Sequence, residues 1–531
     1  MKIKSIFIYG TILLFCFVSC VSRTTIYSTT PGAEVYIGGK YKGTTPYTYS
    51  DFLPTGFGRK IEIKKEGYKT IEGKIRKLGR INALALWGSM VAGLPILWVG
   101  GYPRFYEYEL IPETGTAPIK SDFLTFGKYF PAPRRDFPVY VGSDKGLHYT
   151  YTPGFLHVLD HDLTLIESIE LAKKTHGVPI DGYLVGDKKR IVEFFPYENS
   201  LKIYTLSSDN KLSEFEVENV SYIDEIFAED YRYGYRRSAT TNNFICYSDK
   251  ALTYFDAALN KVDSYKSEKT ILESCLLSDN RILSLELAMN NLFLCLRENG
   301  EETYYEINID NSISNKFFRL NVNEETGKCY ISSLTGATKG KDDFLPTGAQ
   351  IWTYELAGIT LTDNKNILFD DKVSNKQNKY LINKGVVSDA ENVFMHFEEQ
   401  WVSTTTSTSG SSSTSYITAA LVIINAGKEN TPQKKIAKYC ASSVHQDKLS
   451  YQVQLKNNQL YFVFNIALAG KPILNQVVID ENLETISWNV HDTYKEEKTV
   501  FHGLKSYEME DGRRFYFHQY KSKLGAAISE F

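Results

Sequence analysis

The chain has few cysteines and methionines, 7 and 5 of its 531 residues. No Cys-x-x-Cys pair occurs, which argues against a zinc site built from thiolates. Five cysteines lie beyond the first 20 residues: Cys246, Cys275, Cys295, Cys329 and Cys440. An odd and widely spaced set is not a disulfide framework, although one disulfide among them stays open. Cys246 and Cys295 lie in apolar stretches, so we expect buried thiols that pack as small hydrophobic side chains.

An excess of charge of one sign is also missing. The 60 Lys and Arg residues nearly balance the 63 Asp and Glu residues, and the formal charge is -3 at pH 7. A weakly acidic chain without a basic block is not expected to bind nucleic acid. No glycine-rich phosphate loop and no Gly-x-Ser-x-Gly elbow joins a strand to a helix pattern. We therefore predict no catalytic residue and no cofactor.

Aromatic residues, in contrast, are abundant, with 37 Tyr and 30 Phe. These side chains favour half-buried pleated sheets over helices. The hydrophobic content of 43% is ordinary for a chain that forms a core, and the length leaves room for two or more domains. The composition therefore predicts an all-β protein.

The N-terminus has the three parts of a secretory signal. Lys2 and Lys4 provide a basic start, Ile6–Val18 is apolar, and Ser19 is a small residue before a cut. We therefore predict a signal peptide at residues 1–19. Cleavage by an ordinary signal peptidase remains an alternative to the processing described next.

The tetrapeptide Phe17-Val18-Ser19-Cys20 resembles a bacterial lipobox. The resemblance implies that Cys20 becomes the first residue of the mature chain and carries the lipid, palmitate included. It implies a membrane-anchored lipoprotein of a bacterial cell envelope that faces away from the cytoplasm. Val21, in place of Asp after the cysteine, favours the outer membrane by analogy with some Gram-negative bacteria.

Residues 20–80 have the pattern of a small β module. Lys60–Lys65 alternates charge with isoleucine, as a half-buried strand does, and Gly38-Gly39 is a hairpin signal. Three stretches resemble the PEGA domain: Ser28–Gly39, Gly43–Pro46 and Lys65–Lys69. Thr30-Pro31-Gly32-Ala33 replaces the family's Pro-Glu-Gly-Ala, and Pro before Gly suits a tight turn equally well. The resemblance implies a β-sandwich module of envelope proteins, with wall or glycan contact but no chemistry.

Residues 81–103, between Arg80 and Arg104, carry no charge. The segment is long enough to span a membrane, but its Gly and Pro residues would break or loosen a helix. Three alternatives stay open: a transmembrane helix, a helical hairpin that dips into the leaflet holding the lipid, and an apolar plug between the flanking domains. We expect a helical segment in contact with the membrane, because an apolar surface of this size needs a cover. Residues 104–136 follow as a strand that returns to the module and a proline-punctuated linker.

From residue 137 to 531 the pattern is uniform, with short aromatic strands between polar turns. Four turns share Ser-Asp-[Lys/Asn]-x-[Leu/Ile]: 143–147, 208–212, 248–252 and 278–282. Candidate units begin near eight positions: Gly146, Arg190, Asn242, Asn291, Ala349, Asn392, Asn457 and Lys505. Spacings of roughly 40 to 65 residues predict a β-propeller of six to eight blades, with seven favoured. A pair of stacked β-sandwiches is the alternative, and Ser403–Ser415 is expected to be a flexible hairpin tip.

Two segments are candidates for chemistry. His157 and His161 would face the same way on one strand, with Asp160 and Asp162 beside them. However, a hairpin turn is expected there and a third dedicated ligand is missing, so we predict exposed turn residues and no metal. Tyr231–Arg237 alternates aromatic and basic residues, which are able to stack on sugars or bind anionic polymers. A solvated loop is the preferred interpretation of that segment.

These observations predict a non-enzymatic envelope lipoprotein whose propeller is a platform for a protein or glycan. One alternative is a propeller enzyme that acts on polysaccharide, which convergent acidic and His residues at one propeller mouth would favour. The other is a structural subunit of an envelope complex, with residues 81–103 docking a partner. Fold alone does not decide between them.

Overall fold

The computed structural model describes most of the chain beyond Val21. The described residues are 22–28, 32–51, 57–65, 68–77, 80–81, 100–102, 105–108, 119–120, 124–132, 138–171, 177–195, 197–209, 211–220, 222–223, 232–289, 291–309, 318–338, 344–370, 381–406, 412–442, 451–468, 471–491, 500–509, 511, 513–520 and 523–529. Every regular element in these ranges is a β-strand, as the composition predicts. The chain divides into two compact units, Met1–Pro118 and Ile119–Phe531.

Unit 1 is a small sandwich of two sheets. Its strands are β1 (Ser22–Ser28), β2 (Glu34–Ile37), β3 (Lys40–Thr44), β4 (Tyr47–Asp51), β5 (Gly58–Lys65), β6 (Tyr68–Arg76), β7 (Arg80–Ile81), β8 (Gly100–Gly101) and β9 (Phe105–Tyr108). One sheet has the order β4-β1-β9, with β9 parallel to β1, and the other has the order β3-β2-β5-β6. Inward residues of the alternating strands, such as Ile26, Val35, Ile61 and Ile63, form the core between the sheets.

The helix expected over residues 81–103 gains no support from the structure. Residues 82–99 lie outside the described residues. The two-residue strands on either side of them, β7 and β8, pair in antiparallel fashion. In the part of the chain that the structure describes, no helix is long and apolar enough to cross a membrane.

Unit 2 begins with three short strands and then repeats a four-stranded antiparallel meander. The short strands are β10 (Ile119–Lys120), β11 (Leu124–Phe126) and β12 (Phe130–Pro131). Blade 1 has β13 (Val139–Asp144), β14 (Leu147–Thr152), β15 (Phe155–Leu159) and β16 (Leu165–Glu170). Blade 2 has β17 (Val178–Val185), β18 (Lys188–Phe195), β19 (Ser200–Leu206) and β20 (Leu212–Glu218). A two-stranded ribbon, β21 (Tyr222–Ile223) and β22 (Arg232–Tyr233), follows.

The next three blades are also separate four-stranded sheets. Blade 3 has β23 (Tyr235–Arg237), β24 (Phe244–Tyr247), β25 (Ala251–Phe255) and β26 (Lys261–Lys266). Blade 4 has β27 (Thr270–Leu276), β28 (Ile282–Ala288), β29 (Asn291–Glu298) and β30 (Glu301–Ile307). Blade 5 has β31 (Arg319–Asn323), β32 (Lys328–Thr338), β33 (Phe344–Glu355) and β34 (Thr360–Leu368).

The last three blades are joined to other parts of the chain. Blade 6 has β35 (Leu381–Ser388), β36 (Val393–Thr406), β37 (Ser412–Asn425) and β38 (Gln433–Ser442). Blade 7 has β39 (Tyr451–Lys456), β40 (Gln459–Leu468), β41 (Lys471–Ile479) and β42 (Thr485–His491). Blade 8 has β43 (Val500–Glu508), β44 (Arg514–Tyr520) and β45 (Lys523–Ser529). A single bridge, Cys440 to Ala467, links blades 6 and 7, β10 pairs with β42, and β11 and β12 complete blade 8 on β45.

The prediction of a propeller is confirmed, and the described residues form eight blades. The predicted range of six to eight contains this number, but the favoured number, seven, is one too low. Each of the eight predicted unit starts falls within a different blade. The recurring Ser-Asp turns are hairpin turns at unequal positions: 143–147 and 278–282 follow the first strand of a blade, 248–252 the second, and 208–212 the third. They therefore mark turns rather than the repeat.

Apolar side chains fill the spaces between neighbouring blades. One cluster joins blades 4 and 5 around Trp352, another joins blades 2 and 3 around Phe244, and a third joins blades 8 and 1. In the third, the rings of Tyr140 and Phe515 are stacked with centroids 4.4 Å apart. A four-stranded sheet cannot cover its own two apolar faces, so each blade depends on both neighbours.

One turn recurs between the third and fourth strands of blades 1, 3 and 7. Its first residue is Asp160, Asp256 or Asp480, whose carboxylate accepts two backbone N–H bonds of 2.7–3.0 Å. Three residues later a leucine has positive φ: Leu163 (58°), Leu259 (72°) and Leu483 (64°). Asp accepts such local bonds readily, whereas left-handed backbone is unfavourable for leucine. Burial of the leucine side chain against the preceding blade offsets that cost for Leu163 and Leu259.

Two hairpins are the longest among the described residues. Strands β36 and β37 have 14 residues each, and β32 and β33 have 11 and 12. The predicted hairpin at Ser403–Ser415 is confirmed, and its two strands extend into most of that segment. The ladder of blade 6 continues to Thr406 opposite Ser412, and only residues 407–411 lie outside the described residues. Both long hairpins connect the second and third strands of their blades, so they project from the same side of the ring.

Candidate functional site

Cys20, the predicted lipidation residue, lies outside the described residues, which begin at Ser22. The Ser22 Oγ accepts a hydrogen bond of 2.7 Å from the Tyr102 N–H. Tyr102 directly follows β8, the strand at the C-terminal side of the apolar segment. Ser22, two residues after Cys20, and Tyr102, one residue after β8, are therefore in contact on unit 1.

A buried ion pair holds this place together. Lys77 is 1% exposed, and its Nζ lies 2.9 Å from Asp51 Oδ1 and donates to the Asp51 carbonyl at 3.2 Å. The hydroxyls of Tyr49 and Tyr102 both donate to Asp51 Oδ2 at 2.9 Å. The Lys77 ammonium also lies 5.3 Å from the centre of the Tyr102 ring, within the range of a cation–π contact.

The tyrosines of this cluster are held in their neutral form. Burial, followed by the hydrogen bond to Asp51, raises the pKa of Tyr49 to about 12. The same causes, in the same order, raise the pKa of Tyr102 still further. Both hydroxyls therefore remain donors at physiological pH. A buried charge pair is stable only when its remaining hydrogen-bonding capacity is met, and these hydroxyls contribute to that for Asp51.

The residues that flank the apolar segment lie at the same place on unit 1. Strand β6 ends at Arg76, immediately before Lys77, and β7 begins at Arg80. Arg80 pairs with Gly101, and Ile81 pairs with Gly100. We call this region, formed by Ser22, Asp51, Lys77, β7, β8 and Tyr102, the exit end. Both sides of residues 82–99 and the residue two positions after Cys20 lie there.

The candidate metal ligands are not brought together. His157 is fully buried on β15, where its Nε2 lies 2.9 Å from Thr152 Oγ1 and its Nδ1 lies 2.8 Å from Ser168 Oγ. His161 is exposed in the turn that Asp160 caps, 3.4 Å from Asp162. Within the described ranges no three His, Cys, Asp or Glu side chains form a group able to hold a metal ion. The expectation of a turn at residues 160–162 is therefore correct, and His157 lies in the strand that precedes it.

The aromatic-basic segment is not the solvated loop that the sequence favoured. Tyr231 lies outside the described residues, but Arg232–Tyr233 and Tyr235–Arg237 form β22 and β23. Strand β23 is the first strand of blade 3. The Arg237 Nε donates to Asp181 of blade 2 at 2.8 Å, and its guanidinium lies 4.2 Å from the centre of the Tyr183 ring. Arg237 therefore connects blades 2 and 3 instead of lying in a solvated loop.

Similar polar links continue along the first strands of the following blades. Arg236 lies 3.6 Å from Glu273 of blade 4. The other Glu273 oxygen accepts the Leu320 N–H of blade 5 at 2.7 Å, and Asn321 accepts the Val386 N–H of blade 6 at 3.0 Å. Sequence analysis missed Asp181, Glu273 and Asn321. The available signal was a polar residue inside an otherwise apolar first strand.

Blade 6 contains a second buried group of charges that the sequence analysis missed. Glu398 and Lys438 are fully buried and hydrogen-bonded to each other, and Lys384 lies 3.5 Å from the other Glu398 oxygen. The His396 Nδ1 lies 2.5 Å from the hydroxyl of Tyr451 in blade 7. Glu398 and Lys438 stand 40 residues apart, so local patterning gives no sign of the pair.

The cysteines agree in part with their expected role. Cys246, Cys295 and Cys329 are buried free thiols, and Cys275 is a partly buried one. Burial raises the pKa of Cys295 to about 12 and that of Cys275 to about 11. A thiol with a raised pKa is a poor nucleophile at neutral pH. None of these four is in a disulfide.

Comparison with known proteins gives one family match and several distant structural likenesses. The structures include a WD40 domain of Pan2 from Neurospora crassa (9% identity, 78% of this chain and 98% of that one, TM-score 0.33). They also include a quinonprotein alcohol dehydrogenase-like protein from Bacteroides thetaiotaomicron (12%, 88% and 93%, 0.32). A third is the β-propeller domain of the Trilobed protease from Pyrococcus furiosus (12%, 67% and 96%, 0.34). No curated protein matches the sequence.

The family match concerns unit 1 alone. The family described as PEGA domain matches residues 21–77, which contain β1 to β6 and the buried Asp51–Lys77 pair. The resemblance drawn from the glycine turns and the Lys-Glu-Gly-Tyr-Lys stretch is therefore confirmed. The chain carries an N-terminal PEGA domain followed by a β-propeller.

Proposed function

We propose that the protein is a non-enzymatic lipoprotein of a bacterial cell envelope. In this proposal Cys20 carries the lipid, and the propeller is the platform that binds a protein or a glycan. The observation that carries the anchoring is the convergence at the exit end. Ser22, two residues after Cys20, is hydrogen-bonded to Tyr102, which directly follows β8 on one side of residues 82–99.

This convergence gives the lipid and the apolar segment access to the same bilayer. Several acyl chains together anchor a protein firmly, because each buried methylene contributes about 0.8 kcal/mol. The uncharged residues 81–103 add a second apolar group next to the lipid. Val21 after the cysteine favours the outer membrane as the location.

The propeller supports the binding role through its asymmetry. The long hairpins of blades 5 and 6 are neighbours in sequence and project on the same side of the ring. A strand of 14 residues extends about 45 Å, whereas β14 and β15 of blade 1 have 6 and 5 residues. We call these two hairpins the wall, because they extend beyond the shorter hairpins on one side of the ring, and loops carried on a rigid scaffold are common sites of binding.

Metabolic labelling tests the anchor. Wild-type protein should incorporate a palmitate analogue, and Cys20→Ala should not. Cys16→Ala is the matched control, because Cys16 leaves with the signal peptide and its loss should not change the labelling. Equal labelling of wild type and Cys20→Ala would overturn the lipoprotein assignment, as would an intact Met1 on soluble protein from cells.

A shortened hairpin tests the platform. Residues 403–415 would be replaced by Asn-Gly, which closes a two-residue hairpin. Envelope extract would be passed over immobilised wild type, the shortened variant, and an Asn458→Gly control in a turn on the other side of the ring. A stoichiometric protein or glycan should bind wild type and the control, and the shortened variant should lose it. Equal retention by all three would refute a role for the wall.

A further inference from the structure

The two units of the chain differ sharply in charge. Residues 20–80 contain 12 Lys and Arg against 5 Asp and Glu, whereas residues 119–531 contain 45 Lys and Arg against 55 Asp and Glu. The near-neutral total therefore hides a basic PEGA domain attached to an acidic propeller. Such a local excess acts over a Debye length of about 8 Å at physiological salt, so its position on the domain decides what it attracts.

The exposed cations gather toward one end of the domain. The described residues include seven exposed cations: Arg23, Lys40, Lys42, Arg59, Lys60, Lys74 and Arg76. The exposed acids in the same ranges are Glu34 and Glu72. At the start of β5 and the end of β6, Lys60 is opposite Lys74 and Gly58 is opposite Arg76. Lys40 is opposite Ile37, which is in turn opposite Ile61, so it lies near the same end.

This basic end is the exit end. Arg76 is followed by Lys77, whose N–H donates to the Phe57 carbonyl at 3.3 Å, and Arg23 follows Ser22. The Phe57 side chain is 60% exposed, next to Gly58 and Arg59. Acidic neighbours pair with Lys60, which lies 3.0 Å from Glu72 and 3.5 Å from Glu62. An exposed aromatic ring among cations is typical of a surface that lies at the level of lipid headgroups.

We propose that the exit end is a binding face for an anionic lipid bilayer. Arg23, Arg59, Lys74 and Arg76 contact the headgroups, and Phe57 inserts at the interface. The face rests on the proposed membrane location but acts independently of the lipid on Cys20. Each Lys or Arg near the surface adds an electrostatic attraction of about 1 kcal/mol. This is about a fivefold change in affinity, because a tenfold change takes roughly 1.4 kcal/mol. The face also orients the domain with the acyl chain and residues 81–103 toward the bilayer.

Vesicle binding by protein without its lipid tests this face. Full-length Cys20→Ala protein would be sedimented with vesicles of phosphatidylcholine alone or with 40% phosphatidylglycerol (about that fraction being enough for a strong negative surface). We expect binding to the anionic vesicles that is at least tenfold tighter and is lost in 0.5 M salt (Debye length roughly 4 Å). In this background K74E/R76E should weaken binding about thirtyfold, at about fivefold for each of the two cations removed. K74R/R76K should retain it.

A matched charge reversal on the propeller separates the face from net charge. K261E/K266E changes two exposed lysines of β26 by the same total charge and should bind like the parent. Equal weakening by both double variants would overturn the face, as would equal binding to both vesicle types. Displacement by millimolar inorganic phosphate would also overturn it, because the site would then be one for free anions. Palmitate labelling of K74E/R76E with Cys20 intact should be normal, so failure of this face is distinguishable from failure of the lipid anchor.

Discussion

Acidification is expected to destabilise the propeller through His157. The imidazole is fully buried between Thr152 and Ser168, and the Phe130 ring lies 5.1 Å away. Burial lowers its pKa from 6.5 to about 4, because a charged imidazolium loses its hydration there. Each hydroxyl neighbour adapts to a neutral ring as donor or acceptor. Lowering the pH from 7 to 5 tests whether protonation of His157 destabilises the propeller.

The sign and size of the effect follow from the two pKa values. The unfolded chain binds a proton near pH 6.5, whereas the folded chain does so only near pH 4. Between these values the unfolded state holds more protons, so stability falls as the pH falls. From pH 7 to 5 the loss is about 2 kcal/mol, and it approaches about 3 kcal/mol below pH 4. Above pH 6.5 the contribution of His157 is constant.

The assay compares three proteins across this range. Urea unfolding, followed by circular dichroism at pH 7, 6 and 5, would be measured for wild type, His157→Gln and His161→Gln. His157→Gln should be less stable at pH 7, because it disturbs two buried hydrogen bonds, but its stability should depend less on pH by about 2 kcal/mol. His161 is 80% exposed, so His161→Gln should keep the wild-type pH dependence. An unchanged pH dependence in His157→Gln would refute the reasoning.

Three further outcomes are expected from single changes. Lys77→Met should lower the stability of the PEGA domain by about 3 kcal/mol, because it leaves the Asp51 carboxylate without its buried cation, and a thermal melt that equals wild type would contradict this. Arg237→Ala should destabilise the contact of blades 2 and 3 by about 2 kcal/mol, and faster hydrogen exchange in β17 and β23 would show it. Cys329, which burial protects, should react with a thiol reagent only in urea, and labelling of native protein at that residue would exclude the described packing.

Sequence patterning predicts the elements whose environment is local. The alternation over Lys60–Lys65 predicts a half-buried strand, and Ile61 and Ile63 are in the core as it implies. The Gly38-Gly39 signal predicts a hairpin, and these residues form the turn between β2 and β3. In these cases the same few residues make the turn and decide which side chains face inward.

Patterning fails where a distant partner supplies the environment. Arg236 and Arg237 suggest an exposed loop, but they lie in the first strand of blade 3. There they form ion pairs with Glu273 and Asp181 of neighbouring blades. The Ser403–Ser415 run suggests a flexible tip, whereas strand pairing across the hairpin continues through most of it. The completion of blade 8 is hidden, because Leu124 and Ser529, which pair in it, come from opposite ends of the unit. Exposure and pairing of this kind are set by tertiary contacts, which a single sequence does not display.

Two pairings between the start and the end of unit 2 close the ring, and they have a consequence for how the chain folds. Ile119–Lys120 pairs with blade 7, and Leu124–Phe126 pairs with blade 8. The first strands of unit 2 therefore cannot form before its last strands are present. Blade 8 stays open until Ser529 is available to pair with Leu124, and blades 1 and 8 cannot bury their shared apolar surface before then. Contacts at such sequence separation form slowly. A chain shortened by a few dozen residues at its end would therefore leave blade 1 with an uncovered apolar face, and such a chain is expected to be degraded.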